Sequence, residues 1–158
     1  MPETCFTTSI GSCAIAWEAD EITAFRLPPA GERAGPPPPW VNAIIARVQR
    51  HLAGDAQEFA DVPYAWHRVS AFQRAVYEVA LRVKPGQTMS YGELAAAVGS
   101  PATPRAVGNA LGQNPWPLLV PCHRFIGADG RMTGFSAPGG IKTKLRLLVL
   151  EGAELFAE

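Results

Sequence analysis

The chain has 158 residues, 47% of them hydrophobic, enough for a real core in one domain of usual size or two small ones without staples. Fourteen basic residues offset fourteen acidic ones, so net charge by itself gives no sign of a polyanion partner. Three cysteines, an odd set with no C-x-x-C pair, exclude a secreted disulfide framework and a paired zinc motif, and the lack of an 18-residue apolar run excludes a membrane-spanning helix.

The distribution of charge says more than its sum. Residues 1 to 68 hold five Arg/Lys against eight Asp/Glu, residues 69 to 124 hold five against two, and residues 125 to 158 hold four of each. A mildly basic middle third is compatible with nucleic acid, and a solvated charged face explains it as well. With no basic region and apolar run at the N-terminus and a cysteine set suited to a reducing compartment, the expectation is a soluble, cytoplasmic protein.

In chain order, residues 4 to 10, 12 to 18 and 22 to 27 are short and rich in Thr, Ile and Phe, parted by Gly11 and an acidic turn; they predict a meander of strands. Pro28 to Pro39 is a stiff loop, because consecutive prolines hold extended φ and donate no backbone hydrogen bond. From Trp40 to Leu52 the apolar Trp40, Ile44, Ile45, Val48 and Leu52 recur at helical spacing, and His51 is read as a surface residue of that helix. Residues 54 to 66 are irregular.

Ser70 with Gln73 forms a capping box opening a helix over 71 to 83, ended by Pro85-Gly86. Ser90 with Glu93 repeats the device for a helix over 91 to 98, stopped by Gly99. Thr103 then caps, with Pro104 at the first helical position, a helix over 104 to 113. These last two make a helix-turn-helix candidate. The second has an apolar face of Val107, Ala110 and Leu111 and another face of Arg105, Gly108, Asn109 and Gly112. Two glycines inside so short a helix cost about 1 kcal/mol each relative to alanine, which implies close approach of another surface. A nucleic-acid groove and a neighbouring helix both satisfy that requirement.

Asn114-Pro115 and Trp116-Pro117 enforce extended, turn-like backbone before "LLVPCHR", and Gly127 to Gly130 predicts a hairpin turn between Phe125-Ile126 and Arg131-Met132. Cys122 is therefore expected at an accessible strand end. It is either a small buried thiol or a nucleophile. A free thiol is mostly protonated near neutrality and needs a base or cation to become a thiolate. His123 adjoins it, but strand neighbours point to opposite faces, so His123 serves only if residues 121 to 123 turn helically or a water bridges the gap. Glu151, at the end of a final helix starting at Ile141, is a candidate to orient the imidazole.

Together these residues resemble the O6-alkylguanine-DNA alkyltransferase family. "VPCHR" at 120 to 124 matches its active-site motif, and "SYGELA" at 90 to 95, "RAVGNAL" at 105 to 111, "NPWP" at 114 to 117, "GADG" at 127 to 130 and "LEG" at 150 to 152 follow in family order. The resemblance implies an α+β fold: a small ribonuclease H-like β-meander and helix domain over 1 to 66, then an all-helical, winged helix-turn-helix-like domain over 67 to 158 carrying the cysteine.

It also implies an irreversible, single-turnover transfer of a methyl group from O6 of guanine, or O4 of thymine, to Cys122 after the nucleotide is flipped out. His123 acts as base through water, Glu151 orients it, Asn114 braces the turn and Tyr91 donates to the departing guanine. Arg105 replaces the flipped base in the stack. Ala106, Gly108 and Gly112 let the helix lie in the minor groove of double-stranded DNA without sequence preference, and Ser90, Phe135 and Ser136 belong to the lesion-binding set. Phe135 stands where the family often has tyrosine, and Ala137-Pro138 lengthens the following loop. The protein is expected to be a monomer with no cofactor and no metal. The readings set against it are a non-catalytic lesion binder, a sequence-reading regulator and a cysteine hydrolase.

Overall fold

In the computed structural model, residues 2–33, 35–99, 102–127 and 139–153 are described. The N-terminal strands β1 (Glu3–Thr8), β2 (Gly11–Glu18) and β3 (Glu21–Arg26) form an antiparallel meander in the order β1-β2-β3. Its registers pair Phe6 with Cys13 and Ile15 with Phe25, and shift between Ala16 and Trp17. Four successive residues of β2, Cys13 to Ala16, are buried, so this central strand is covered on both faces.

Part of the proline-rich segment runs beside β1, where Thr4 Oγ1 donates to the Gly35 carbonyl at 3.0 Å and Cys5 Sγ to that of Ala30. Helix α1 (Pro39–Leu52) follows, with Val41, Ile44, Ile45, Val48 and Leu52 buried. His51 is buried with them, against the sequence expectation of a surface position. It lies seven residues after Ile44 and three after Val48, on the apolar face of the helix.

Residues 54 to 66, unreadable from the sequence, supply much of the packing between the sheet and the rest of the chain. Tyr64 bridges to Ile22, and the edge of β3 is closed by Ile22 N–H to the Pro63 carbonyl and Phe25 N–H to that of Pro115. Trp116 is fully buried among Tyr64, Trp66 and Tyr77, with ring centroids 5.0 to 6.1 Å away, and its Nε1–H donates to the Ile22 carbonyl at 2.9 Å. The segment leading to the cysteine is thereby anchored on the N-terminal sheet, and one hydrophobic core runs from β2 and α1 into the later helices.

Helix α2 (Ala71–Ala80) and helix α3 (Tyr91–Val98) both carry the expected capping boxes, from Ser70 with Gln73 and Ser90 with Glu93. Helix α4 (Pro104–Gly112) is capped by Thr103, which accepts Ala106 N–H at 3.1 Å. Helices α2, α3 and α4 pack together; Tyr77 Oη donates to the Ala110 carbonyl at 2.6 Å across α2 and α4. Helix α5 (Ile141–Leu150) completes the fold. Gly139 precedes it with φ +85°, and a β-carbon there would collide with the Thr143 side chain.

The later half is not wholly helical. Strands β4 (Met89–Ser90) and β5 (Phe125–Ile126) pair in parallel, Met89 with Phe125. Parallel pairing requires a long crossover, here the α3–α4 unit and the loop after it, and local periodicity carries no trace of it. The Gly127–Gly130 turn expectation lies mostly outside the described residues, as do Phe135, Ser136 and Ala137-Pro138.

Replacing Trp116 by Phe keeps the ring stack and deletes one of the two bonds on the Ile22 carbonyl, which retains Ala65 N–H. The expected loss is about 1 kcal/mol in urea unfolding, with the slope unchanged.

Candidate active site

The loop from Asn114 to Val120 is closed on itself. Asn114 Nδ2 donates to the Val120 carbonyl at 2.9 Å, its Oδ1 accepts Trp116 N–H at 2.9 Å, and Val120 N–H returns to the Trp116 carbonyl. These bonds hold Leu118 at φ +79°, a left-handed conformation that a branched side chain adopts only under constraint. The loop delivers Pro121, whose carbonyl accepts Arg124 N–H, into a 3-10 turn over Cys122–Arg124.

Cys122 thus opens a helical turn and is 8% exposed, in place of the accessible strand end expected from sequence. The turn relieves the strand-alternation objection to His123, which requires extended backbone. Burial pushes the Cys122 thiol up; a hydrogen bond with the Asn114 side chain and the charge of Lys144 pull it the other way without overcoming burial. At rest the sulfur is a protonated thiol that needs a base.

Glu151 is the C-terminal cap of α5, and its carboxylate, 1% exposed, gathers four hydrogen bonds. Arg124 Nε donates to Oε1 at 2.9 Å and its terminal nitrogen to Oε2 at 2.8 Å, while Nε2 of His123 and Nε2 of His51 each lie 2.8 Å from Oε2. Arg124 also donates to the Val83 carbonyl, just beyond α2, at 2.6 Å. Gly86, at φ +89°, brings its backbone so close that a β-carbon would lie 3.2 Å from the Glu151 carbonyl oxygen. Burial pushes the Glu151 carboxyl up, but the hydrogen bonds from Arg124, His123 and His51 outweigh it and hold the group well below its ordinary value.

A carboxylate only accepts, so His123 presents Nε2–H to it and leaves Nδ1 unprotonated. That Nδ1 is buried and, among the described residues, has no hydrogen-bond partner. Burial pulls the His123 imidazole down, opposed by Glu151, so the ring rests neutral with a vacant basic nitrogen.

Lys144 is fully buried on α5 and donates to the Tyr91 hydroxyl at 3.4 Å. Burial pulls its ammonium down to about 8, with the Cys122 charge acting in the opposite direction. No motif marks it in the sequence, but Lys144 lies three and four residues before the buried Leu147 and Leu148 and so shares their face.

The α4 surface stands apart from this network. Arg105 is exposed and, among the described residues, makes no ion pair; Ala106 is half-buried beside it. A β-carbon on Gly108 would make only ordinary contact with Tyr91 at 3.9 Å, and one on Gly112 would, among the described residues, meet nothing within 4 Å. Among those residues no close helix contact demands glycine at either position. Ser90 uses its hydroxyl to cap α3. Among the described residues no group of three or more His, Cys, Asp or Glu could hold a metal ion, and no helix is long and apolar enough to cross a membrane.

Residues 71–153 match the family described as 6-O-methylguanine DNA methyltransferase, DNA binding domain. The chain belongs to this family. It is 37% identical over 154 residues to a methylated-DNA--protein-cysteine methyltransferase of Mycobacterium tuberculosis, covering 94% of this chain and 91% of the relative. A protein of the same name from Haemophilus influenzae is 31% identical over 94% of this chain and 84% of its own length. In structure the chain matches Mycobacterium tuberculosis OGT in complex with DNA with a TM-score of 0.80 at 35% identity, over 94% of this chain and 92% of that one. Its activity is that of a methylated-DNA-protein-cysteine methyltransferase.

The buried carboxylate yields a prediction free of DNA. Because the folded value of Glu151 lies below its ordinary 4.5, its stabilisation is complete above that pH and is lost as pH falls through the folded value. Glu151→Gln leaves Arg124 buried without its counter-charge and should cost about 3–5 kcal/mol at neutral pH. Urea titrations across the acid range should show a shallower acid limb for the variant than for the wild type.

Proposed function

We propose that this chain repairs alkylated DNA by a single, irreversible transfer, in which Sγ of Cys122 takes the methyl group from O6 of guanine, or O4 of thymine, in an extruded nucleotide. The observation that carries the reading is the vacant, unprotonated Nδ1 of His123, which follows the buried Cys122 in one helical turn and is fixed from behind by Glu151. A thiolate must form in this apolar setting at the moment of attack, and a neutral base oriented by a carboxylate is the group that makes it.

In the step itself the thiol proton passes to His123 Nδ1 through a bridging water. The S–C bond forms as the C–O6 bond breaks, and the departing guanine accepts the Tyr91 hydroxyl proton on its ring. Lys144, donating to the Tyr91 oxygen, stabilises the phenolate left behind. The thioether cannot return the methyl group, so each molecule acts once.

O6 is inaccessible inside a paired stack, and extrusion costs a few kcal/mol, less for a poorly paired lesion. Arg105, exposed at the start of α4, is suited to fill the vacated place. The room for a β-carbon at Gly112 among the described residues, with Ala106 and Gly108 alongside, supports close approach of α4 to a minor groove, which suits repair without sequence readout. In this reading α3 and α4 are the helix-turn-helix pair of a winged domain starting near residue 67, with Ser90 at its lesion-facing edge and Phe135 and Ser136 as pocket residues. The preceding unit is ribonuclease H-like, and the protein acts as a cytoplasmic monomer.

Mixing the protein with duplex DNA containing O6-methylguanine and mapping its peptides by mass should place one methyl group on the Cys122 peptide, with one protein consumed per lesion. An unmodified cysteine after full binding would argue for lesion binding alone, and repeated turnover would argue for a hydrolase. Arg105→Ala should slow repair of duplex DNA about tenfold while sparing a single-stranded lesion, which needs no replacement in the stack. Equal slowing of both would count against insertion.

A further inference from the structure

His51 reaches the site from α1, 100 residues away in sequence from the carboxylate it touches. Both of its ring nitrogens are committed. Nδ1 accepts the backbone N–H of Gln57 at 2.9 Å, so the ring proton is on Nε2, which donates to Glu151 Oε2 at 2.8 Å. The ring is 2% exposed and meets Phe59 edge-on at 5.6 Å, which removes its freedom to swing away.

The contact constrains a motion that Arg124 leaves open. A bidentate guanidinium holds the two oxygens best in its own plane but only weakly resists rotation about the Cγ–Cδ bond of Glu151, which carries them out of that plane. That rotation would draw Oε2 away from His123, and with it the bond that sets the His123 tautomer. A donor from a third direction, mounted on a different element, opposes the rotation. His51 is that donor.

We propose that His51 is a positioning residue for methyl transfer: by donating Nε2–H to Glu151 it holds Oε2 against His123 and keeps His123 Nδ1 free to receive the thiol proton. The inference rests on the reading of Cys122 as the methyl acceptor. It makes the N-terminal part of the chain a contributor to the chemistry. The competing role is structural, in which His51 matters only for tying down the loop at Gln57.

Two substitutions separate the roles, because asparagine places its amide near the position of Nδ1 and glutamine near that of Nε2. His51→Asn can keep the Gln57 bond and loses the donor to Glu151; His51→Gln keeps the donor and loses the loop bond. Single-turnover transfer from duplex O6-methylguanine, lesion binding, melting temperature and the NMR signals of isotope-labelled imidazole nitrogens are measured for both. Expected for His51→Asn is about tenfold slower transfer at unchanged lesion binding, with the Nε2–H signature of His123 lost; His51→Gln should stay within about twofold of wild type and keep that signature.

Wild-type transfer by His51→Asn, slowing of both variants in step with their melting temperatures, or an unchanged His123 tautomer in His51→Asn would each overturn the proposal. The tautomer measurement needs no DNA. If the wild-type protein itself left Cys122 unmethylated, the transfer reading would fail while the imidazole signals still decided the role of His51.

Discussion

One buried carboxylate holds this molecule's working parts together. Glu151 is almost wholly removed from water, where an isolated negative charge could not survive, and it remains ionised because four hydrogen bonds converge on its two oxygens. Those donors come from α1 and from the turn that carries the cysteine, while Arg124 extends the network to the end of α2. A charge that must be satisfied from several directions specifies how those elements meet. The same requirement that stabilises the carboxylate fixes the tautomer of His123.

The neighbourhood of Cys122 is a balance of opposed effects. Burial alone would make the thiol inert, and Lys144 and Asn114 only partly offset it. The outcome is a thiol that rests protonated, followed in the same turn by the neutral imidazole of His123. Asn114 acts on the backbone, since its two bonds close the loop that holds Leu118 in a left-handed conformation and leads into the cysteine turn. Trp116 ties that loop to the N-terminal sheet, so the first strands of the chain set the position of a residue about a hundred positions later.

Much of this was legible in the sequence where the cause is local. The capping boxes at Ser70 and Ser90, the Thr103 cap and the meander of three strands follow from side chains acting on their own backbone within a few residues. The cysteine motif and its companions from Tyr91 to Glu151 were equally visible as a family pattern. His51 and Lys144 were not identified, because a polar residue on an apolar helical face reads as a surface residue until its distant partner is known. Both nevertheless carried a signal in their spacing from buried neighbours. The parallel pairing of Met89–Ser90 with Phe125–Ile126 left no local trace, since two residues of strand have no period.

By itself the sequence determined the order and starts of the helices, the identity of the family and the residue types of the candidate site, because each of these is written in near-neighbour spacing or in an ordered string of motifs. Only the tertiary structure decided that Cys122 is buried in a turn, that two histidines converge on one glutamate oxygen, and that Gly112 of α4 is exposed. Those facts depend on where chain segments far apart in sequence come to rest, and a buried charge or a vacant ring nitrogen acquires its meaning only from the partners that arrive there.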